Sequence, residues 1–226
     1  MIEGKISVEY MTHMGDDLFV ANVARVSFAK ESKEFTTRED RPKGSDEGII
    51  EYLAKAGHFT PFTHPQITLR CSAPVPIRTQ CFKSKIGFVE NEESRRYIKT
   101  EPEIYVPEFW RSAPEGSIKQ GSAGVHPLTD KASFFYKETC AKALELYLWM
   151  IEEGIAPEQA RFCLPQGAMV NWIWTGSLQA YARFYGLRID SHAQKEVQDI
   201  AIAIDKIIEP LFPYSWAALT QRHKDN

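Results

Sequence analysis

Arg78-Thr-Gln-Cys-Phe-Lys-Ser-Lys-Ile-Gly-Phe-Val-Glu-Asn-Glu-Glu-Ser-Arg-Arg-Tyr97 places five cations and three acids, with hydroxyl and amide groups between them, in twenty residues. The stretch closes on Asn91 to Tyr97, where Ser94 stands beside the guanidinium forks of Arg95 and Arg96. Arginine pairs bidentately with phosphate, and serine adds a hydroxyl donor. On spacing alone, a site for a phosphorylated ligand and a solvated charged loop are level readings.

Upstream, Ile67, Leu69 and Cys71 alternate as in a strand, and Pro74 and Pro76 end it before a helical segment from Ile77 to Lys85. The charged stretch therefore begins on a helix and ends in a loop. Toward the N-terminus, Ile6, Val8 and Tyr10 alternate in a strand, and Asp16-Asp17 open a helix over Leu18 to Val26. Ser45 caps a short helix that stops at Gly57, and Lys30 to Gly44 is a charged loop. Downstream, Pro102 to Pro127 is an irregular excursion rather than a linker, rich in proline, glycine and aromatics. A long amphipathic helix carries Tyr136, Cys140, Leu144, Tyr147 and Ile151 and ends near Gly154. Pro157 starts a short helix to Leu164-Pro165. A last helix, capped by Asp190 or Ser191, bears the stripe Val197, Ile200, Ala201, Ile204 and Ile208 before Pro210.

Helices outnumber strands without regular alternation, so the class is α+β, and no GxGxxG follows a strand to suggest a Rossmann domain. With 226 residues, 43% of them hydrophobic, the chain has enough apolar content for one domain over 1–226. A net charge of −3 and a pI near 6.1 argue against a nucleic-acid partner. Four scattered cysteines form no CxxC pair and read as reduced packing residues. No apolar run reaches the roughly 20 residues of a membrane span and no signal-peptide layout opens the chain, so a cytoplasmic location is expected.

The second half of the charged stretch, Asn91-Glu92, Ser94 and Arg96-Tyr97, resembles the signature of the flavin-dependent thymidylate synthases. The first half differs: Lys83-Ser84-Lys85 stands where that family has Arg-His-Arg, and one extra residue separates the halves. Similar matches run along most of the chain, in Val23-Ala-Arg-Val-Ser-Phe28, Gly57-His-Phe-Thr-Pro-Phe-Thr-His64, Arg161 with Leu164-Pro165, and Leu187-Arg188 with Asp190 to Gln194. The resemblance implies a helix-rich domain around a small, mostly antiparallel sheet. It also implies a homotetramer that converts dUMP to dTMP with FAD, NADPH and methylenetetrahydrofolate.

By the same resemblance, Gln80, Cys81, Phe82 and Lys83 line the pyrimidine nucleotide together with Glu92, Glu93, Ser94, Arg95, Arg96 and Arg161, and Ser94 and Arg96 lie nearest its phosphate. Arg188 is the catalytic cation, stabilising the N3-deprotonated uracil. His58, Thr60, Lys83, Ser84, Lys85 and Glu92 fall on the flavin and folate side, joined by Ser177, Gln179, Arg183 and His192. The residues themselves add to this. Gln80 lies one turn before Lys83 and Ser84, and its amide offers both donor and acceptor to a uracil edge, although a polar surface face is the plain alternative. Arg161 sits in an apolar run where an unpaired cation would be costly to bury, and Arg188 has Asp190 as a simple salt-bridge alternative. His58 and His64 are six apart with no third ligand near, so no metal site is expected. Two other functions remain open: hydroxymethylation of dUMP or methylation of UMP, and a nucleotide-binding homologue that has lost catalysis.

Overall fold

A computed structural model describes residues 1–114 and 121–221, so residues 115–120 of the Pro102 to Pro127 excursion lie outside the described residues. In chain order the elements are β1 (Glu3–Gly4), β2 (Ser7–Met14), α1 (Asp17–Arg25), α2 (Asp46–Ala56), α3 (Thr60–Thr63), β3 (Gln66–Pro74), α4 (Val75–Cys81), β4 (Phe88–Glu92) and β5 (Ile104–Tyr105). There follow α5 (Thr129–Glu152), α6 (Pro157–Ala160), β6 (Met169–Ser177), α7 (Leu178–Arg188), α8 (Lys195–Ile208) and α9 (Pro213–Thr220). The class is α+β. A four-stranded antiparallel sheet in the order β2-β3-β6-β4 is accompanied by a parallel pair, β1 with β5.

Local chemistry accounts for the helix ends. The Asp16 carboxylate accepts from the Phe19 backbone N–H to start α1, and Ser45 does the same for Gly48 at the head of α2. Gly57 closes α2 in the left-handed conformation at φ +72°. On β3, alternate residues Ile67, Leu69, Cys71 and Ala73 are fully buried, as its period-two pattern requires. They meet the stripe of α8 and the aromatics of β6 and α7 in one large apolar cluster.

Four elements differ from the sequence reading. Phe88–Glu92 is an edge strand and not a loop; only Phe88 is buried, so its five residues carry little apolar signal. Met169–Ser177 is the inner strand between β3 and β4, with Trp172 and Trp174 buried. α7 is buried at Leu178, Ala180, Tyr181, Ala182 and Phe184, and its open side, Gln179, Arg183 and Gly186, carries too few polar residues to reveal its period. α8 starts at Lys195 because the Asp190 carboxylate accepts from the His192 backbone N–H in a separate turn. The Lys30 to Gly44 loop is tied down: Asp46 accepts from Arg25, Ser32 and Thr36.

Candidate functional site

The charged stretch is built around β4 and the end of α4. Register pairs Phe88 with Gly176 and Glu92 with Trp172 on β6, and the Glu93 N–H extends the ladder to the Asn171 carbonyl at 2.9 Å. Gly176 has no side chain because Phe88 fills the space; a Cβ there would lie 2.4 Å from the Phe88 ring. The turn before β4 is held by Gly87 at φ +80°, whose carbonyl accepts from the Ser177 N–H. A Cβ on Gly87 would meet that of Ala180 at 2.9 Å.

Within this frame the nucleotide candidates separate by environment. The Cys81 side chain is fully buried in the core, and burial pushes its thiol up to about 12, so only its backbone can face a ligand. Phe82 is half-buried, edge-on to Trp172, with Arg78 and Lys85 each about 5 Å from its ring centre. Lys83 is exposed, and Lys85 pairs with Glu90. Glu92 faces Arg78 at 2.7 Å, an ion pair whose angle is poor for a hydrogen bond. Burial raises its carboxyl above the ordinary value, Arg78 pulls it back, and Glu93 raises it again. Glu93 accepts from Asn171 Nδ2 at 2.9 Å, while Arg95 donates to the Thr100 carbonyl. Arg96 is exposed, near the Ser94 hydroxyl and over the Tyr97 ring. The Arg161 guanidinium is exposed and donates to the Glu158 carbonyl at 3.2 Å. It is therefore not the buried cation its apolar neighbours suggested: Phe162 is 79% exposed and does not cover it.

Arg188, at the end of α7, comes against α4: its Nη2 donates to the Gln80 carbonyl at 3.3 Å, and its Nε is buried with no hydrogen-bond partner among the described residues. No Arg188–Asp190 ion pair forms among the described residues; Asp190 takes His192 instead. The Gln80 amide donates to Gln194 at the head of α8. On the phosphate side, Ser94 Oγ accepts from the Arg96 N–H and Nε, each at 3.4 Å, and Arg161 bonds to α6 at the Glu158 carbonyl.

The flavin-side candidates fall into two groups. His58 and Thr60 lie exposed on the wall of a cleft of about 1550 Å³ between α1, α2 and α3, with Phe19, Phe28 and Tyr52 along it. Around α7, the Ser177 hydroxyl is buried as the helix cap, accepting from Ala180, so it is not free for a ligand. Arg183 donates to the Ile86 carbonyl at 2.8 Å. Gln179 Oε1 is buried without a partner, and Ser84 is half-buried in the turn after α4, its N–H on the Cys81 carbonyl. His192 is exposed against Asp190. Sequence reasoning left out Arg78, Asn171, Gln194 and Glu196. Arg78 lay within the quoted stretch and Gln194 within the Asp190 to Gln194 match, whereas Asn171 and Glu196 enter through contacts distant in sequence and had no local signal. Among the described residues no group of three or more His, Cys, Asp or Glu could hold a metal ion, and no helix is long and apolar enough to cross a membrane.

A family model described as thymidylate synthase complementing protein matches residues 9–214. The chain is 34% identical over 206 residues to a flavin-dependent thymidylate synthase of Thermosipho africanus, covering 91% of this chain and 86% of that protein. To its counterpart in Thermotoga neapolitana it is 32% identical over 211 residues, covering 93% and 89%. In structure it resembles the UMP/dUMP methylase PolB of Streptomyces cacaoi bound with 5-Br dUMP, at a TM-score of 0.84 and 27% identity over 97% of each chain.

Proposed function

The chain belongs to the flavin-dependent thymidylate synthase family, and from that premise we propose that it methylates dUMP at C5 to give dTMP. Methylenetetrahydrofolate would supply the carbon and NADPH the reducing equivalents. The observation that carries this reading is the Arg188 guanidinium, fixed against the end of α4 with a buried N–H that no protein acceptor takes. A cation held in place beside a pyrimidine stabilises charge as it develops on the ring without reorganising to do so. Arg188 then favours the N3-deprotonated uracil, and the Gln80 amide reads the base edge. Arg96 and Arg161 are exposed and Ser94 is half-buried beside Arg96; together they would take a phosphate, which arginine can hold in bidentate fashion.

The flavin fits the large cleft beside α3. Its size and aromatic walls suit a flat ring system, and His58 and Thr60 offer polar contacts at its edge. Lys83, Ser84, Lys85 and the orphaned Gln179 Oε1 would complete the flavin and folate side. When bound, FAD supplies hydride chemistry. Cys71 and Cys81 are poor nucleophiles in this setting, because burial raises both thiols well above their ordinary value. That supports a route in which the protein orients the base and balances its charge without a covalent thiol.

Residues 1–226 are read as one domain, supported by the single large core cluster. A homotetramer in the cytoplasm completes the reading. Phe134, Phe135 and Trp149, exposed along α5, offer an apolar surface that supports subunit contact. Trp110 does not contribute to that surface, since it is bonded to Ser133 and packed edge-on to Tyr136. A second reading, methylation of UMP, is favoured by the likeness to a UMP/dUMP methylase. Incubation with FAD, NADPH, methylenetetrahydrofolate and either dUMP or UMP, followed by mass analysis of the nucleotide, separates them. A gain of one methyl on dUMP alone is expected. Methylation of UMP in preference to dUMP, a hydroxymethyl product, or no product with FAD not taken up would overturn the proposal.

A further inference from the structure

Four side chains stand in series from Trp110's neighbour Arg111 to the end of α4. Arg111 Nη2 donates to both carboxylate oxygens of Glu196, each at 2.8 Å. Glu196 is only 6% exposed, and its Oε2 also accepts from Gln194 Nε2 at 2.9 Å. Gln194 Oε1 in turn accepts from Gln80 Nε2. An ionised carboxylate can only accept, so it dictates the direction of everything beyond it. Gln194 must turn its NH2 toward Glu196 and its carbonyl toward Gln80, and Gln80 must then turn its own NH2 toward Gln194. The amide that remains is held in one of its two flips. Arg188 ties the backbone of the same residue through the Gln80 carbonyl. Burial raises the Glu196 carboxyl, but the hydrogen bond from Arg111 and the other donors outweigh it and keep it ionised.

We propose that Glu196, set by Arg111, is a positioning residue that acts through Gln194 to hold the Gln80 amide in the flip that accepts a uracil edge and rejects a cytosine edge. This rests on the placement of Gln80 at the base given above. Uracil presents a donor at N3 and an acceptor at O4, and cytosine reverses both, with an acceptor at N3 and a donor at N4. A freely turning amide satisfies either ring, whereas a held one meets cytosine with donor against donor or acceptor against acceptor. The selection acts on the neutral ring as it binds, before charge develops.

The test uses the full chain loaded with FAD, titrated calorimetrically with dUMP and with dCMP. Wild type should prefer dUMP. Gln194→Leu, an exposed position before α8, should lower the ratio of dUMP to dCMP affinity by about tenfold with little change in thermal midpoint, the scale of one lost orienting hydrogen bond. Glu196→Gln should do the same, at some cost in stability because Arg111 loses its partner. A merely structural role would weaken both nucleotides together and leave their ratio alone. If Gln80→Ala weakens dUMP binding while Gln194→Leu keeps the ratio, the relay is wrong and the site reading stands. If Gln80→Ala has no effect on dUMP, or wild type shows no preference, both fall.

Discussion

Asp46, the first residue of α2, holds the loop beside the cleft proposed for flavin, and replacing it should cost more than any surface carboxylate in the chain. Its side chain is fully buried. It accepts from Arg25 Nε at 2.8 Å, Ser32 Oγ at 2.9 Å, the Thr36 N–H at 3.0 Å and Thr36 Oγ1 at 2.8 Å. Asp46→Ala removes all four acceptor contacts and leaves the Arg25 guanidinium, itself largely buried, without its carboxylate. Breaking a buried pair by deleting one partner costs about 3–5 kcal/mol. At roughly 2–4 °C per kcal/mol for a chain of this size, the thermal midpoint should fall by about 6–20 °C. Asp46→Asn keeps one acceptor oxygen and should lose about half as much. Asp40→Ala is the control: that carboxylate is exposed and bonded to Thr37, so little change in the thermal midpoint is expected. Because Arg25, Lys30 and Glu31 also line the cleft, Asp46→Ala should weaken FAD binding as well. The pH arm follows from sign. Burial tends to raise the Asp46 carboxyl, but the bonds from Thr36, Arg25 and Ser32 outweigh it and lower it in the folded state. Its contribution is therefore fully present above the unfolded value near 3.9 and is lost as pH falls through the lower folded value. Scanning calorimetry and urea titration measure all three variants. An Asp46→Ala loss below about 1 kcal/mol, or an acid limb that Asp46→Asn leaves unchanged, would refute this account of the loop.

Arg188→Ala should cut kcat more than it raises the dUMP dissociation constant, because the cation matters most as charge develops, whereas Arg96→Ala should chiefly weaken dUMP. Equal losses in both constants for the two variants would remove the distinction. Ser84→His restores a ring to the turn after α4 and should tighten FAD by about one to two decades, read by fluorescence titration; equal or weaker affinity would show a pocket shaped around serine. Native protein treated with iodoacetamide at pH 8 should leave Cys81 unmodified, since its buried thiol is pushed up to about 12. Rapid labelling of Cys81, mapped by peptide mass, would contradict that burial.

The caps of α1 and α2 and the stripe of α8 were legible because each depends on residues close in sequence: Asp16, Ser45, Gly57, and the spacing from Val197 to Ile208. β6 was not, because Val170, Trp172 and Trp174 point inward but apolar Ile173 lies on the other face, so apolar residues fall on both sides of the strand. α7 failed for a related reason: its open side holds only Gln179, Arg183 and Gly186, while Leu187 is apolar yet exposed. In the site, the charged stretch and Arg188 could be picked out from charge and resemblance. The environment of each side chain could not: Cys81 sits in the core, the Ser177 hydroxyl is spent on its own helix, and Arg161 lies in the open. Those distinctions depend on which element covers which, as does the Gln80–Gln194 contact, between residues 114 apart in sequence.

Gly87 bears on how this enzyme could be altered. Its positive φ and the 2.9 Å approach of Ala180 leave no room for a side chain, although it bears no side chain to touch a ligand. The Lys83-Ser84-Lys85 segment just before it is partly exposed and spans no such bottleneck. A library that varies positions 83 to 85 should therefore yield many folded proteins with changed cofactor preference. The same diversity at 87 should yield almost none, because the turn would have to separate from β6 and α7 before any new side chain could fit. Room for change at this turn thus lies in the exposed residues before it, and the veto rests with a glycine behind them.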